Sequence, residues 1–193
     1  MKNVFKITDF SLENTLFVFA LASEAANEFD DCKKLIAGIG KVNAAYELGR
    51  AVSHKRPELI VNIGSAGSNV FSRGAIVCST KFIQRDMDVR GLGYALYETP
   101  FSNAPIVLEY GVALKDLPTG ICGTGDNFEM NHNATAYNVV DMEAYALAHV
   151  AKQENIPFLC LKYISDGADG GAADDWNLQV HHAAKALRRV LFH

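Results

Sequence analysis

The chain has no paired-cysteine signature, no block of basic residues and no apolar run long enough to cross a bilayer. Its four cysteines, Cys32, Cys78, Cys122 and Cys160, are scattered without a CxxC pair, and two lie inside apolar runs. Cysteines so placed behave as small hydrophobes, so the spacing predicts neither a disulfide framework nor a zinc site. The formal net charge is −4, and without a basic stripe a nucleic-acid footprint is not expected. The longest apolar stretches, such as Leu16 to Ala22, fall far short of the roughly 20 residues of a membrane span. Met1 to Phe10 lacks the apolar stretch and small-residue cleavage site of a signal peptide. The expectation is a reduced, cytoplasmic protein with no membrane partner and no metal.

What the chain does have is an ordinary globular composition over 193 residues, with 49% apolar and 21% charged residues. That length suits a single domain, residues 1–193, able to bury roughly 70% of its unfolded surface. Four short runs rich in β-branched and aromatic residues read as strands covered on both faces: Leu16 to Leu21, Leu59 to Ile63, Ile76 to Thr80 and Phe158 to Ile164. Helical patterns lie between and after them, at Val42 to Ser53, Asn138 to Glu154 and Asp174 to Phe192. Alternating strands and helices predict an α/β fold with a parallel or mixed sheet. Gln84 to Pro105, rich in Gly, Arg, Asp and aromatics without clear periodicity, reads as a long loop.

In open α/β sheets ligands bind at the carboxyl ends of the strands. Three predicted strands end in polar or small residues: "ALASEA" with Glu24, "NIGSAGS" with Ser65, and "SDGAD" with Ser165 and Asp166. Any one of these could be a turn former or helix cap. Together they would gather Glu24, Ser65 and Asp166 on one edge of the sheet. The segment "NVVDMEAYALAHVAKQ" adds Glu143 within nearly unbroken apolar surroundings, where an unpartnered charge is costly. Asp141 and Glu143 near its start could also simply complement a helix dipole. The "GIGK" segment has too little of the P-loop spacing to be read as a phosphate cradle. His132, His149, His181 and His182 show no metal-ligand spacing.

"GIGKVNAA", "NIGSAGS", "GTGDNF", "VVDMEAYALAHV" and "ISDGAD" occur in the order and approximate spacing of the nucleoside phosphorylase and nucleosidase superfamily. The sequence most resembles the bacterial 5'-methylthioadenosine/S-adenosylhomocysteine nucleosidases. The resemblance implies a three-layer-like fold, with a mixed, partly barrel-like β-sheet flanked by helices. About a dozen residues separate Glu24 from Gly38, which implies a shortened N-terminal hairpin region. It further implies an enzyme without a cofactor that hydrolyses N-glycosidic bonds of a purine nucleoside, and a homodimer.

Position by position, Asp166 matches the acid that protonates the purine at N7, and Ser165 the residue that orients it. Glu24 matches the carboxylate that activates water. Glu143 matches the ribose-binding carboxylate, with Met142 beside it and Val140 and Asp141 preceding. Phe128 matches the aromatic that stacks on the purine, and the Glu129 backbone falls where the purine edge is read. Glu129 carries an acidic side chain where an apolar one is common. Ile39 and Ser65 match further substrate-lining positions, and Lys162 stands where arginine is usual. Leu92 and Pro100 match loop positions that reach the 5' pocket of a neighbouring subunit.

The chemistry needs such residues. Adenine leaves poorly as an anion, so a carboxylic acid must supply a proton. A second carboxylate serves the cation-like sugar or the attacking water. Two alternatives stay open from sequence: phosphorolysis on the same fold, for which Arg50, Arg56, Arg73, Arg85 and Arg90 are available cations, and nucleoside binding without turnover.

Overall fold

The structure, a computed structural model, describes residues 4–5 and 10–192. Most of the Met1 to Phe10 segment, and the His181 side chain, lie outside the described residues. The strands are β1 (Val4–Phe5), β2 (Thr15–Phe19), β3 (Lys34–Ile36), β4 (Leu59–Gly67), β5 (Ile76–Gln84), β6 (Leu108–Glu109), β7 (Ala113–Leu114), β8 (Thr119–Thr124), β9 (Val139–Asp141) and β10 (Phe158–Asp166). The helices are α1 (Ala22–Ala25), α2 (Lys41–His54), α3 (Ala144–Gln153) and α4 (Ala172–Phe192). Between β5 and β6 the only helical piece is a 3-10 turn at Arg90–Leu92, so the expected long loop is present from residue 85 to 105, while Gln84 still belongs to β5.

The main sheet is mixed and closes on itself. β4 pairs parallel with β10, β10 antiparallel with β5, β5 parallel with β8, β8 parallel with β9, and β9 antiparallel with β4. These five strands form a barrel-like core. Beyond it, β2 adds to β4 and β3 to β2, both parallel. The connection between Glu24 and Gly38 thus holds one strand, β3.

The four strands read from the sequence are all present, and three run further than their apolar pattern. β4, β5 and β10 extend to Gly67, Gln84 and Asp166, so their polar ends still belong to the sheet. The expected helix over Asn138 to Glu154 is corrected. Val139–Asp141 is strand β9, and helix α3 begins at Ala144. The β-branched pair Val139 and Val140 favours the pleated state, and its pairing with Cys122 and Gly123 of β8 completes the barrel.

Alternate residues of the strands feed two cores. Leu16, Val18, Ile60, Phe82 and Phe158 pack on the side of α2 and α3 with Leu48 and Leu147. Phe17, Phe19, Val61, Ile63 and Leu161 pack against Phe29 and, from α4, Leu187 and Leu191. Each such side chain contributes about 1.5–3 kcal/mol when fully buried. The double covering explains why these strands read as continuous apolar runs. Cys78, Cys122 and Cys160 are buried within this core, and Cys32 is half-buried. Among the described residues no helix is long and apolar enough to cross a membrane.

Candidate active site

The carboxyl ends of β4, β9 and β10 open onto a cavity of about 290 Å³. Of the site residues named from sequence, all but Lys162, Leu92 and Pro100 line it.

Glu24 enters from α1, the single turn after β2. β2 pairs with β4 only as far as Asn62, and β9 takes over at Gly67. The Glu24 carboxylate fills the gap between those two partners. Its Oε1 accepts the Ser65 N–H at 2.9 Å and the Ser65 hydroxyl at 2.8 Å. Its Oε2 accepts the N–H groups of Ala20 and Leu21, both at 3.2 Å. A buried carboxylate so surrounded by donors is stable where it sits.

Asp166 ends β10. The register with β4 slips between Ile164 and Asp166, an irregularity that re-aims a side chain at the end of a strand. Asp166 Oδ2 accepts the Ser165 hydroxyl at 2.8 Å, and Oδ1 accepts the Ala168 N–H at 2.8 Å. A Cβ at position 67 would lie 2.6 Å from Asp166 Oδ1, so the last residue of β4 must be glycine. The Asp-Gly ending of the apolar run is therefore a strand terminus that delivers a carboxylate into the cavity.

Glu143 sits between β9 and α3, and its Oε1 accepts the Gly40 N–H at 2.9 Å across 103 residues of sequence. Burial pushes its carboxyl up to about 8, the negative charge of Asp141 adds to this, and Lys162 and the Gly40 N–H oppose it. Asp141 and Lys162 form a buried ion pair at 2.8 Å. Burial works against the charged form of Asp141, but Lys162 and the hydrogen bonds from Thr124 and Ala144 outweigh it and hold the acid below its ordinary range. Burial likewise opposes the charge on Lys162, and Asp141 more than compensates. Lys162 thus stands behind the cavity wall as the counter-charge of Asp141. The Ala144 N–H to Asp141 Oδ2 bond, 2.8 Å, also makes Asp141 the residue that satisfies the start of α3.

Phe128 and Ile39 leave about half their surface open at the cavity mouth (45% and 48%). Leu92 is 73% exposed, and Pro100 is half-buried on the same long loop. Sequence reasoning missed Arg85 and Asn127 as lining residues. Arg85 directly follows β5, and reading that strand to its true end at Gln84 would have put it beside the other strand ends. Among the described residues no group of three His, Cys, Asp or Glu side chains is placed to hold a metal ion.

Residues 35–192 match the phosphorylase superfamily. The chain belongs to that superfamily. Within it, a 5'-methylthioadenosine/S-adenosylhomocysteine nucleosidase of Listeria monocytogenes serotype 4a is 34% identical over 175 residues, 78% of this chain and 75% of the relative. One of Staphylococcus saprophyticus is 31% identical, also over 175 residues, with 80% and 77% covered. These similarities place the phosphorylase-superfamily chain in the nucleosidase family of those relatives. Its fold is also that of a Helicobacter pylori nucleosidase mutant solved with 5'-methylthioadenosine in the active site. The TM-score is 0.83 at 18% identity, covering 93% of this chain and 96% of that one.

Proposed function

We propose that residues 1–193 form one nucleosidase domain that hydrolyses the N-glycosidic bond of an adenine nucleoside, 5'-methylthioadenosine or S-adenosylhomocysteine, and releases adenine. The reading is carried by one observation: Glu24, Glu143 and Asp166, from three distant parts of the chain, line the same purine-sized cavity beside Phe128.

In this reading Phe128 stacks on the base, and the backbone at Glu129 faces the purine edge. Asp166, oriented by Ser165, donates its proton to N7 as the bond from the base nitrogen to the sugar carbon breaks. The base departs as neutral adenine, leaving a cation-like ribosyl group. Glu24 takes a proton from water as the water oxygen bonds to that carbon, and the Ser65 N–H holds Glu24 in place. Glu143 engages the ribose hydroxyls, with Met142 against the sugar and Ile39 and Val140 completing the walls. Fixing the sugar this way lowers the barrier by positioning, and the two-carboxylate logic is that of glycosidases. Lys162 contributes through Asp141. The domain works in the cytoplasm without a cofactor.

Hydrolysis is favoured over phosphorolysis by the state of the arginines. Of Arg50, Arg56, Arg73, Arg85 and Arg90, Arg85 alone lines the cavity, and its guanidinium is engaged by Asn127 and Glu129. A phosphate dianion needs cations open to it. Large apolar side chains exposed on α2 and the long loop, Val42 (77%), Tyr46 (65%), Leu92 (73%) and Phe101 (97%), support a homodimer in which Leu92 and Pro100 reach the partner's site.

Incubating the purified protein with 5'-methylthioadenosine in phosphate-free buffer should release adenine. A strict phosphate requirement would establish phosphorolysis instead, and binding without release would make the chain a nucleoside binder.

A further inference from the structure

Arg85 is an unusual wall residue. Its side chain is 3% exposed, yet it lines the cavity beside Phe128. Nη1 donates to Asn127 Oδ1 at 2.9 Å and to Glu129 Oε2 at 3.2 Å, and Nη2 donates to the Asn127 carbonyl. The guanidinium therefore grips both flanks of Phe128. Space for it is reserved in the sequence: a Cβ at Gly125 would lie 2.9 Å from Arg85 Cζ and 3.0 Å from Nη1. The arrangement costs something, since Arg85 Nε is buried without a hydrogen-bond partner, and such an orphaned donor is tolerated where other demands outweigh it.

Glu129 is the other half. Its side chain is 19% exposed and lines the cavity. Arg85 engages Oε2, not Oε1. A carboxylate whose counter-charge comes from behind presents an acceptor-only group to whatever occupies the slot at Phe128. Such a group favours a base edge carrying an N–H and disfavours one carrying only lone pairs.

We propose that the Glu129 side chain determines base specificity by accepting an N–H from the edge of the purine, and that Arg85 is its positioning residue. This deepens the nucleosidase reading and rests on its placement of the base against Phe128. It assigns the carboxylate, beyond the backbone at 129, the task of selecting a base whose edge carries an N–H, as the 6-amino group of adenine does.

The test compares free adenine with unsubstituted purine, which has the same rings without the amino group, by calorimetric titration of the whole chain. Wild type should prefer adenine. Glu129→Ala should lower the adenine-over-purine affinity ratio about 10- to 100-fold, the range of a hydrogen bond to a charged acceptor. Glu129→Gln, which keeps an amide oxygen, should lower it less, and serves if the alanine variant is poorly folded. Arg85→Ala should lower the ratio as far as Glu129→Ala does, with partial rescue in Arg85→Lys and no further loss in the double variant.

A merely structural clasp would weaken both ligands alike and leave the ratio unchanged. That result, an unaltered ratio in both Glu129 variants, or a wild type that binds neither base overturns the assignment. A wild type that shows the Glu129-dependent preference but releases no adenine from nucleosides keeps this assignment and removes hydrolysis. Release of adenine without that preference does the reverse.

Discussion

Replacing Glu143 with glutamine should stabilise the protein at high pH while weakening its hold on the ribose. The carboxyl titrates at about 8 in the folded chain against an ordinary value of 4.5, with burial the largest cause and Asp141 the next. Between those two values the folded state holds a proton that the unfolded state has lost. Stability therefore falls as pH rises from about 4.5 to about 8, and is flat with respect to this group above 8. At about 1.4 kcal/mol per pH unit the full cost is on the order of 5 kcal/mol, a large part of the 5–15 kcal/mol typical of a domain. Glutamine removes the titration but keeps an oxygen that can accept the Gly40 N–H. Thermal unfolding of wild type and Glu143→Gln from pH 4.5 to 9 should give curves that meet near pH 4.5 and diverge upward. The melting-temperature gap should reach about 10–20 °C at pH 9 for a chain of this size. Parallel curves, or a variant less stable at pH 9, would show that Glu143 is not held protonated by its surroundings.

Asp166→Asn should cut adenine release about 100- to 10,000-fold with an unchanged circular dichroism spectrum. Near-normal turnover would place the general acid elsewhere. Asp141→Asn leaves the Lys162 charge without its carboxylate and should destabilise by about 3–5 kcal/mol in urea titration, whereas adding Lys162→Met should restore most of that loss. A double variant no more stable than the single one would refute the account of that ion pair.

The strands covered on both faces were legible: β4, β5 and β10 of the barrel wall, and β2 beside it, announce themselves as apolar runs. β8 was not, because "TGICGT" reads locally as a turn, and only pairing with β5 and β9 makes it a strand. β9 was hidden for the opposite reason. Val139 and Val140 continue the apolar pattern of α3 smoothly, and nothing local says that the helix starts five residues later. The three carboxylates were legible as strand-end and buried-segment residues once joined to the family resemblance. Arg85 was visible only as one arginine among several, since its burial against Gly125 and its grip on Asn127 and Glu129 arise when β5 and β8 lie side by side.

Glu24 has one further implication. A carboxylate offers about four lone-pair positions, and here Ala20, Leu21 and the two Ser65 donors occupy all four. In the proposed reaction, a water close enough to give Glu24 its proton takes the place of one of them. Three are main-chain amides locked into the fold, while the serine hydroxyl leaves by a single-bond rotation. Turnover would then begin with a swivel at Ser65, and the resting enzyme would be kept from idle water chemistry by its own side chain.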